Sequence, residues 1–213
     1  MEGYIQEMQQ GGYSPENVDE FHYVFMRYLA GHYFPDKKSK ICDIGIGAGH
    51  CTIPLLKLGY KNVYGVDIDD YNARTFERMG IQFFKADVER DELPFQAGFF
   101  DVIICFHLIE HLFDPSNFLN ECKRILKDGG KLILATPDWR KQYKTFWRDP
   151  THRHPYDKVS LTRLLRIFGF KILRCSSLGC IRGIGRTKLW KTFPFLMFTG
   201  LDIIAIAVKK KEE

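Results

Sequence analysis

The fold is decided by the stretch Ile41-Cys42-Asp43-Ile44-Gly45-Ile46-Gly47-Ala48-Gly49. A short apolar run of the strand type leads into three alternate glycines, and a helix is predicted around residues 52–58. Glycines allow a sharp turn and let a ligand touch the main chain, because they carry no Cβ. The start of the following helix offers N–H groups without helical partners. This stretch therefore predicts a strand, a ligand-binding turn and a helix in succession.

The rest of the chain alternates strand-like apolar runs with amphipathic stretches of helical length. This alternation is typical of a parallel sheet with helices on both faces. An N-terminal helix is predicted over residues 14–33, with Ser14 as its cap. Strands are predicted at 40–45, 62–67, 81–86, 100–106, 131–136, 170–175 and 202–208.

Two carboxylates follow the glycine turn at informative distances. Asp67 ends the second predicted strand about 20 residues after the turn, where an acid can accept hydrogen bonds from ribose hydroxyls. Asp87 ends the third predicted strand. The dinucleotide fingerprint G-x-G-x-x-G is incomplete, because His50 occupies its last glycine position. This departure counts against an NAD-dependent oxidoreductase, and the intact glycines and acids count against a non-catalytic, Rossmann-like binding module.

The length of the chain indicates one domain, and the charge differs between its N-terminal and C-terminal parts. Its 213 residues suit a single α/β domain, with an N-terminal helical cap (1–39), a cofactor-binding core (40–137) and a substrate-facing segment with the final hairpin (138–213). Residues 1–130 contain 13 Lys/Arg and 20 Asp/Glu, whereas residues 131–213 contain 18 and 6. This polarity predicts that the C-terminal part faces something anionic.

Six motifs follow one another along the chain: Asp43 to Gly49, Asp67, Ala86-Asp87, Phe100 to Ile103, Leu108 to His111 and Gly129 to Pro137. In this order they resemble the motifs of the class I, or seven-strand, S-adenosylmethionine-dependent methyltransferases, in their small-molecule branch of type 11 and 12 domains. The similarity covers about residues 38–208. It implies a doubly wound, mostly parallel sheet of order 3-2-1-4-5-7-6 with an antiparallel last strand.

The resemblance also implies S-adenosylmethionine as cofactor and a role for each matched residue. The three glycines of the turn would line its methionine part, with Asp43 beneath them. Asp67 would bind the ribose and Ile68 would pack on the adenine. Asp87 and Val88 would meet the adenine amine, and Phe106 would lie near the methyl group. The implied cofactor-binding residues are Asp43, Gly45, Gly47, Gly49, Asp67, Ile68, Asp87, Val88 and Phe106.

Methyl transfer from a sulfonium needs alignment, a dry pocket and, for some acceptors, a base. His107, His111 and His152 are the candidate catalytic residues, since histidine accepts protons near neutral pH. The expected acceptor is a small, anionic molecule such as a sugar, a quinone or isoprenoid precursor, or a lipid-linked glycan.

Two metal-dependent alternatives concern residues 107–111. Taken literally, H-x-x-E-H is an inverted zinc-peptidase motif, which would place His107 and His111 on one face of a helix. Some methyltransferase branches, including ubiquinone-pathway and small-RNA 2′-O-methyltransferases, carry E-x-x-E-H here and bind a divalent ion. His107 replaces their first Glu, so His152 or His154 would complete a set better suited to a transition metal. A metal-assisted RNA 2′-O-methyltransferase therefore remains an alternative.

Partners and location can be predicted only in outline. The segment 139–148 interleaves bases with aromatic residues, as do parts of 138–200, which suits contact with a membrane surface or RNA as well as an anionic small molecule. No obligate protein partner is indicated. The six cysteines form no C-x-x-C pair and the N-terminus lacks signal-peptide features, so a reducing cytoplasm is expected.

Overall fold

Seven strands form one mixed sheet in the computed structural model, which describes residues 14–179 and 188–210. The order is β3-β2-β1-β4-β5-β7-β6, as predicted. Neighbouring strands from β3 to β5 are parallel, and β7 runs antiparallel to both β5 and β6. The strands are β1 (Ile41–Ile44), β2 (Val63–Asp67), β3 (Gln82–Lys85), β4 (Phe100–Phe106), β5 (Leu126–Pro137), β6 (Phe170–Leu178) and β7 (Asp202–Lys209).

The α-helices of the described residues mostly agree with the predicted amphipathic stretches. They are α1 (Glu20–Tyr33), α2 (Thr52–Lys57), α3 (Ala73–Met79), α4 (Ser116–Ile125), α5 (Trp139–Gln142) and α6 (Lys158–Ile167). The prediction for the first helix was wrong at its start. Asp19 caps α1 by accepting a hydrogen bond from the amide of His22, whereas Ser14 precedes a separate 3-10 turn, Pro15–Asn17. Both residues are good caps, but Pro15 fits the first position of either a long or a short helix.

Two apolar layers cover the sheet because side chains of successive strand residues point to opposite faces. On one face, Ile103 and Cys105 of β4 pack with residues of α4 and α6 such as Phe118 and Leu161. On the other face, Val102 and Ile104 pack with residues of α1 and α2. β1 and β4 are therefore apolar along almost their whole length, as expected for strands buried on both faces.

The topology brings several loops to one edge of the sheet. β1 pairs with β2 on one side and with β4 on the other, so the connections from their carboxyl ends diverge at this point. The end of β5 pairs with the start of β7, Pro137 opposite Asp202, which adds the chain before β7 to the same edge. Within the described parts of the chain, no helix has the length and apolar character needed to cross a membrane.

Candidate active site

The glycine turn after β1 requires all three of its glycines. Gly45, Gly47 and Gly49 have φ of 77°, 53° and 74°, in the left-handed region that side chains rarely adopt. A Cβ on Gly49 would lie 2.8 Å from the ring of Phe76. A Cβ on Gly47 would meet nothing closer than a backbone oxygen 4.0 Å away. The turn therefore packs closely on α3 at one end and leaves open space for a ligand at its middle.

The peptide groups of Gly47 are held from both sides. The Gly47 amide donates a hydrogen bond of 2.9 Å to Oδ2 of Asp67, at the end of β2. The Gly47 carbonyl accepts one of 3.1 Å from Nδ2 of Asn72. Asp67 also accepts from the Asp69 amide. Since a carboxylate has about four acceptor positions, these bonds leave Asp67 able to accept from a ligand as well.

Asp43 lies buried beneath this turn. Its Oδ2 accepts a hydrogen bond of 2.5 Å from the Thr52 hydroxyl at the start of α2. Burial raises the pKa of Asp43 to about 7, with the nearby Asp67 carboxylate acting in the same direction and the Thr52 hydrogen bond opposing it. Asp43 is therefore partly protonated near neutral pH, and a cation bound above it would favour its ionised form.

A small cleft opens beside the turn, between β2, β3 and the loop after β4. Ile68 is 42% exposed there, although it is apolar. Two backbone amides stabilise the local chain by donating to acids: Glu89 donates to Asp87, and Asp87 donates to Asp91. The cleft is lined by Gly45, Asp67, Ile68, Ala86, Asp87, Val88, Glu89, Leu108 and Leu112. Apolar walls with carboxylates at two ends suit a flat heterocycle joined to a sugar.

A larger cavity of about 410 Å³ adjoins the glycine turn. Phe106, at the end of β4, forms part of its wall and packs on Phe25 of α1. The other notable feature is a concentration of histidines. Those that line it are His22, His50, His107, His111 and His152, together with the carboxylates Asp43, Glu110 and Asp149.

His107 adopts an unusual backbone conformation, with φ of 54°. Its Nδ1 lies 3.4 Å from Oε1 of Glu110 and its Nε2 lies 3.7 Å from Oδ2 of Asp202. Burial alone would lower the pKa of His107, but these two carboxylates outweigh it and raise the pKa to about 9. This pKa favours the cationic form of His107 at neutral pH, whereas a general base needs the neutral form.

His111 has the opposite character. Burial lowers its pKa below the ordinary value of 6.5, so the ring is neutral at neutral pH. The Thr151 hydroxyl donates to Oδ1 of Asp149 at 2.5 Å, and the Thr151 hydroxyl oxygen lies 2.8 Å from Nδ1 of His111. Because the hydroxyl proton of Thr151 points to Asp149, the hydroxyl oxygen can only accept a hydrogen bond from Nδ1 of His111. This network therefore assigns the ring proton of His111 to Nδ1. The basic lone pair of His111 is then on Nε2.

His152 completes the histidine pair. Its ring centroid lies 4.8 Å from that of His111, and its Nδ1 lies 2.7 Å from the carbonyl oxygen of Phe146. That oxygen can only accept, so Nδ1 of His152 also carries the proton. Each of the two rings thus has its tautomer fixed by a neighbouring oxygen.

Glu110 is fully buried between these histidines. Its Oε2 accepts from the Thr136 hydroxyl at 2.9 Å, while Oε1 has no hydrogen bond among the described residues. Burial would raise the pKa of Glu110, but its pairing with His107 keeps the pKa below the ordinary value. Ligand atoms of Glu110, His111 and His152 lie within 4.8 Å of one another, a spacing that could accept a metal ion.

The structure separates the two metal-dependent hypotheses. An inverted zinc-peptidase motif requires a helix, but only Ile109–His111 forms a 3-10 turn and His107 has a left-handed backbone. This interpretation of residues 107–111 was wrong. His154 lies apart from the cluster, with Nε2 on the carbonyl of Phe113. Of the two candidates for the additional ligand, only His152 lies beside Glu110 and His111.

The sequence predicted most of the residues that line this site but missed some of them. The predicted cofactor-binding residues line the small cleft or the adjoining cavity, apart from Gly49, which packs on Phe76 at the end of the turn. The predicted catalytic histidines all line the cavity. Asn72 and His22 were missed, because they belong to no motif. His50 entered the prediction only as the departure from the dinucleotide fingerprint. Asp149 and Thr151 entered it only within the run Asp149 to His152, which resembles the later part of many small-molecule members, and were given no role.

These residues fit S-adenosylmethionine. The open side of Gly47, the exposed Ile68 and the carboxylates Asp67 and Asp87 provide a surface for a methionine chain, an adenine and a ribose. The partly protonated Asp43 beneath the turn suits a cationic amino group above it.

A family model described as a methyltransferase domain matches residues 18–174 of the chain. A relative in Mycolicibacterium smegmatis, named a probable S-adenosylmethionine-dependent methyltransferase, is 30% identical over 156 residues, which cover 70% of this chain and 58% of the relative. A ubiquinone biosynthesis O-methyltransferase of Caulobacter is 32% identical over 107 residues, or 48% of this chain and 42% of that protein. The chain thus spans about half the length of these curated relatives.

Solved structures agree with the fold. A SAM-dependent methyltransferase from Thermotoga maritima has a TM-score of 0.70 at 21% identity, covering 97% of this chain and 96% of that one. One from Archaeoglobus fulgidus has a TM-score of 0.66 at 21% identity, covering 89% and 94%. The matched domain, the strand order and the glycine turn with its carboxylates lead to one conclusion. The chain belongs to the class I S-adenosylmethionine-dependent methyltransferases.

Proposed function

We propose that this methyltransferase acts on a hydroxyl oxygen of a small, anionic acceptor, and that His111 is its general base. The observation that carries the proposal is the chain of contacts from Asp149 through Thr151 to His111. A hydroxyl group must lose its proton to become a strong nucleophile, whereas an ionised acid or a neutral amine need not. A neutral histidine with a fixed tautomer is suited to that task.

The cofactor would be held by the turn and the small cleft. Asp67 would accept from the ribose hydroxyls, Asp87 from the adenine amine, and Ile68 would cover the adenine ring. Bound S-adenosylmethionine supplies a methyl group on a positively charged sulfur, which leaves as a neutral thioether. Phe106 and the turn border the cavity, where acceptor and donor would align.

The residues of the cavity would have different roles in the transfer. His111 would take the hydroxyl proton on Nε2 as the acceptor oxygen forms its new bond to carbon. Asp149, acting through Thr151, would favour the imidazolium that results. The bases of residues 138–148 would meet the remainder of an anionic acceptor outside the cavity.

Two measurements test this proposal. Calorimetric titration with S-adenosylhomocysteine should show binding, and a panel of small hydroxylated acids should be methylated, as detected by mass spectrometry. His111→Gln should retain cofactor binding and lose methyl transfer by on the order of 100-fold or more. Exclusive methylation of amines or carbons would contradict the assignment of a hydroxyl acceptor.

A chelator distinguishes the base from a metal ligand. Glu110, His111 and His152 are close enough to bind an ion, so His111→Gln alone cannot separate the two roles. We expect full activity in EDTA. Activity lost in EDTA and restored by Zn²⁺ or Mn²⁺ would contradict the base role of His111 and favour the metal-assisted alternative.

A further inference from the structure

The edge of the sheet that carries the cavity also carries an exposed apolar surface. It is formed by the segments 138–148, directly after β5, and 188–201, directly before β7, which we call the rim surface. The end of β5 pairs with the start of β7, so the first segment begins and the second segment ends at the same edge of the sheet. Its large apolar members that are more than one third exposed are Trp139, Tyr143, Trp147, Leu189, Phe193, Phe195 and Leu201.

The rim surface is anchored to the fold through its polar groups. Nζ of Lys141 donates to the Ser177 hydroxyl and to the Gly200 carbonyl, at 2.7 and 2.8 Å. Nε2 of Gln142 donates to Oδ1 of Asp202 at 2.8 Å. These bonds fix one segment against the other. The exposed rings are therefore presented by an ordered backbone rather than used to fill the core.

This surface borders the opening of the cavity. Leu201, 55% exposed, precedes Asp202, whose carboxylate lies 3.7 Å from Nε2 of His107. Trp147, 57% exposed, packs edge-on against Phe146, and Phe146 contacts the ring of His152 at 4.3 Å. The rim surface is therefore connected, through Asp202 and Phe146, to His107 and His152 in the wall of the cavity.

The exposed charged side chains of the two segments are all positive. They contain six lysines and arginines and one carboxylate, Asp138, which is buried. Among the described residues, no acid forms an ion pair with Lys144 or Arg148, while Lys188 and Lys191 pair with Glu20 of α1. Exposed phenylalanine, tryptophan and leucine flanked by such bases complement an apolar layer with an anionic surface.

We propose that the rim surface docks on an anionic phospholipid bilayer, so that the cavity opens toward an acceptor carried in or at that membrane. The contact is peripheral, because the elements of the two segments are single helical turns. Leu201 has no ring on which a nucleobase could stack, which favours lipid over RNA. This inference rests on the proposed function only for the class of acceptor; the docking itself does not depend on it.

Flotation with vesicles of phosphatidylcholine, with and without phosphatidylglycerol, tests the docking. The protein should float with the anionic vesicles and remain behind with the neutral ones. Its tryptophan emission should shift to shorter wavelength on binding, since Trp139 and Trp147 are exposed and only Trp190 is buried. Trp147→Ser combined with Leu201→Ser should weaken binding on the order of 10-fold, and Lys144→Glu with Arg148→Glu should abolish the preference for anionic lipid.

Ile167→Ser is the matched control. Ile167 is 79% exposed at the end of α6, near the start of β6, which lies at the opposite edge of the sheet. This variant should bind vesicles as the unchanged protein does. All the surface variants should bind S-adenosylhomocysteine normally, so a failed cofactor site is distinguishable from a failed docking surface.

Three results would overturn the docking proposal. The first is no flotation with either vesicle, and the second is equal loss of flotation in the Ile167 variant. The third is binding of single-stranded RNA that competes with vesicles and is lost in the same rim variants, since RNA would then be the partner of this surface.

Discussion

The Thr151 hydroxyl lies 2.8 Å from Nδ1 of His111, although 40 residues separate them in the chain. The turn Asp149–Thr151 folds back onto the 3-10 turn Ile109–His111, and the amides of Arg153 and His154 donate to the Glu110 carbonyl beside it. Two loops at the edge of the sheet are thus joined by two backbone hydrogen bonds and by the contact of Thr151 with the His111 ring. The position of that ring depends on both.

Replacing Thr151 by Val should lower kcat on the order of 10-fold or more and leave the affinity for S-adenosylhomocysteine unchanged, because the tautomer of His111 is no longer fixed. Thr151→Ser should restore most of the rate. The unchanged protein should gain activity as pH rises through the lowered pKa of His111, below 6.5, and should then level off. A valine variant with a normal rate and pH profile would contradict a positioning role for Thr151.

Cofactor affinity should depend on the ionisation of Asp43. Its pKa is raised to about 7, and a cationic amino group above it favours the ionised form, so binding should tighten as pH rises from about 6 to about 8. Calorimetric titration with S-adenosylhomocysteine across this range measures the effect. Asp43→Asn should remove most of the pH dependence. An unchanged dependence in that variant would mean that another group responds to pH.

Gly47→Ala should separate cofactor binding from folding. The added Cβ would have space in the protein without a ligand, but position 47 has a left-handed φ that alanine rarely adopts, so stability should fall by about 1 kcal/mol. The affinity for the cofactor should fall by considerably more, because the Cβ would occupy the space of the ligand. Gly59→Ala is the control, since Gly59 also has a left-handed φ and open space, but lies far from the turn, after α2. Equal cofactor affinity in the two variants would contradict the placement of a ligand over Gly47.

Asp67→Ala should weaken binding of S-adenosylhomocysteine by on the order of 1–3 kcal/mol, because the ribose hydroxyls lose their acceptor. Part of that loss would come from the Gly47 amide, which also loses its partner. Asn72→Ala removes the hydrogen bond to the Gly47 carbonyl, which belongs to the next peptide group, without touching the proposed ribose site. It should therefore have the smaller effect, as measured by calorimetry. A larger loss of affinity in Asn72→Ala than in Asp67→Ala would contradict ribose binding by Asp67 and indicate that Asp67 supports the turn.

His107→Asn should change the pH dependence of stability. The pKa of His107 is raised to about 9 from an ordinary value of 6.5, so its stabilising contribution is complete below about 6.5 and is lost as pH rises through 9. The difference in Tm between the unchanged protein and His107→Asn should therefore narrow between these values. Asn tolerates the left-handed backbone of this position, so the comparison concerns charge rather than strain. A constant difference in Tm would contradict a charged His107.

The sequence predicts the sheet well and the catalytic contacts poorly, for a physical reason. β4 is found at the predicted residues 100–106, because a strand buried on both faces is a continuous apolar run. The turn and its acids follow strands directly, so short spacings locate them. The contact of Thr151 with His111 depends on how two distant loops pack, and no local pattern records that. The start of α1 was misplaced because Ser14 and Asp19 are equally good caps.

The bonds from Asp67 and Asn72 to Gly47 have a further consequence for how the enzyme would cycle. A loop that is already ordered loses little conformational entropy when a ligand arrives, so the free energy of binding is not spent on folding the loop. Association would then be limited by diffusion and access rather than by a slow rearrangement of the turn. The same rigidity means that the thioether product would meet an unaltered turn, and its release would depend on the loss of the sulfonium charge rather than on opening of the loop.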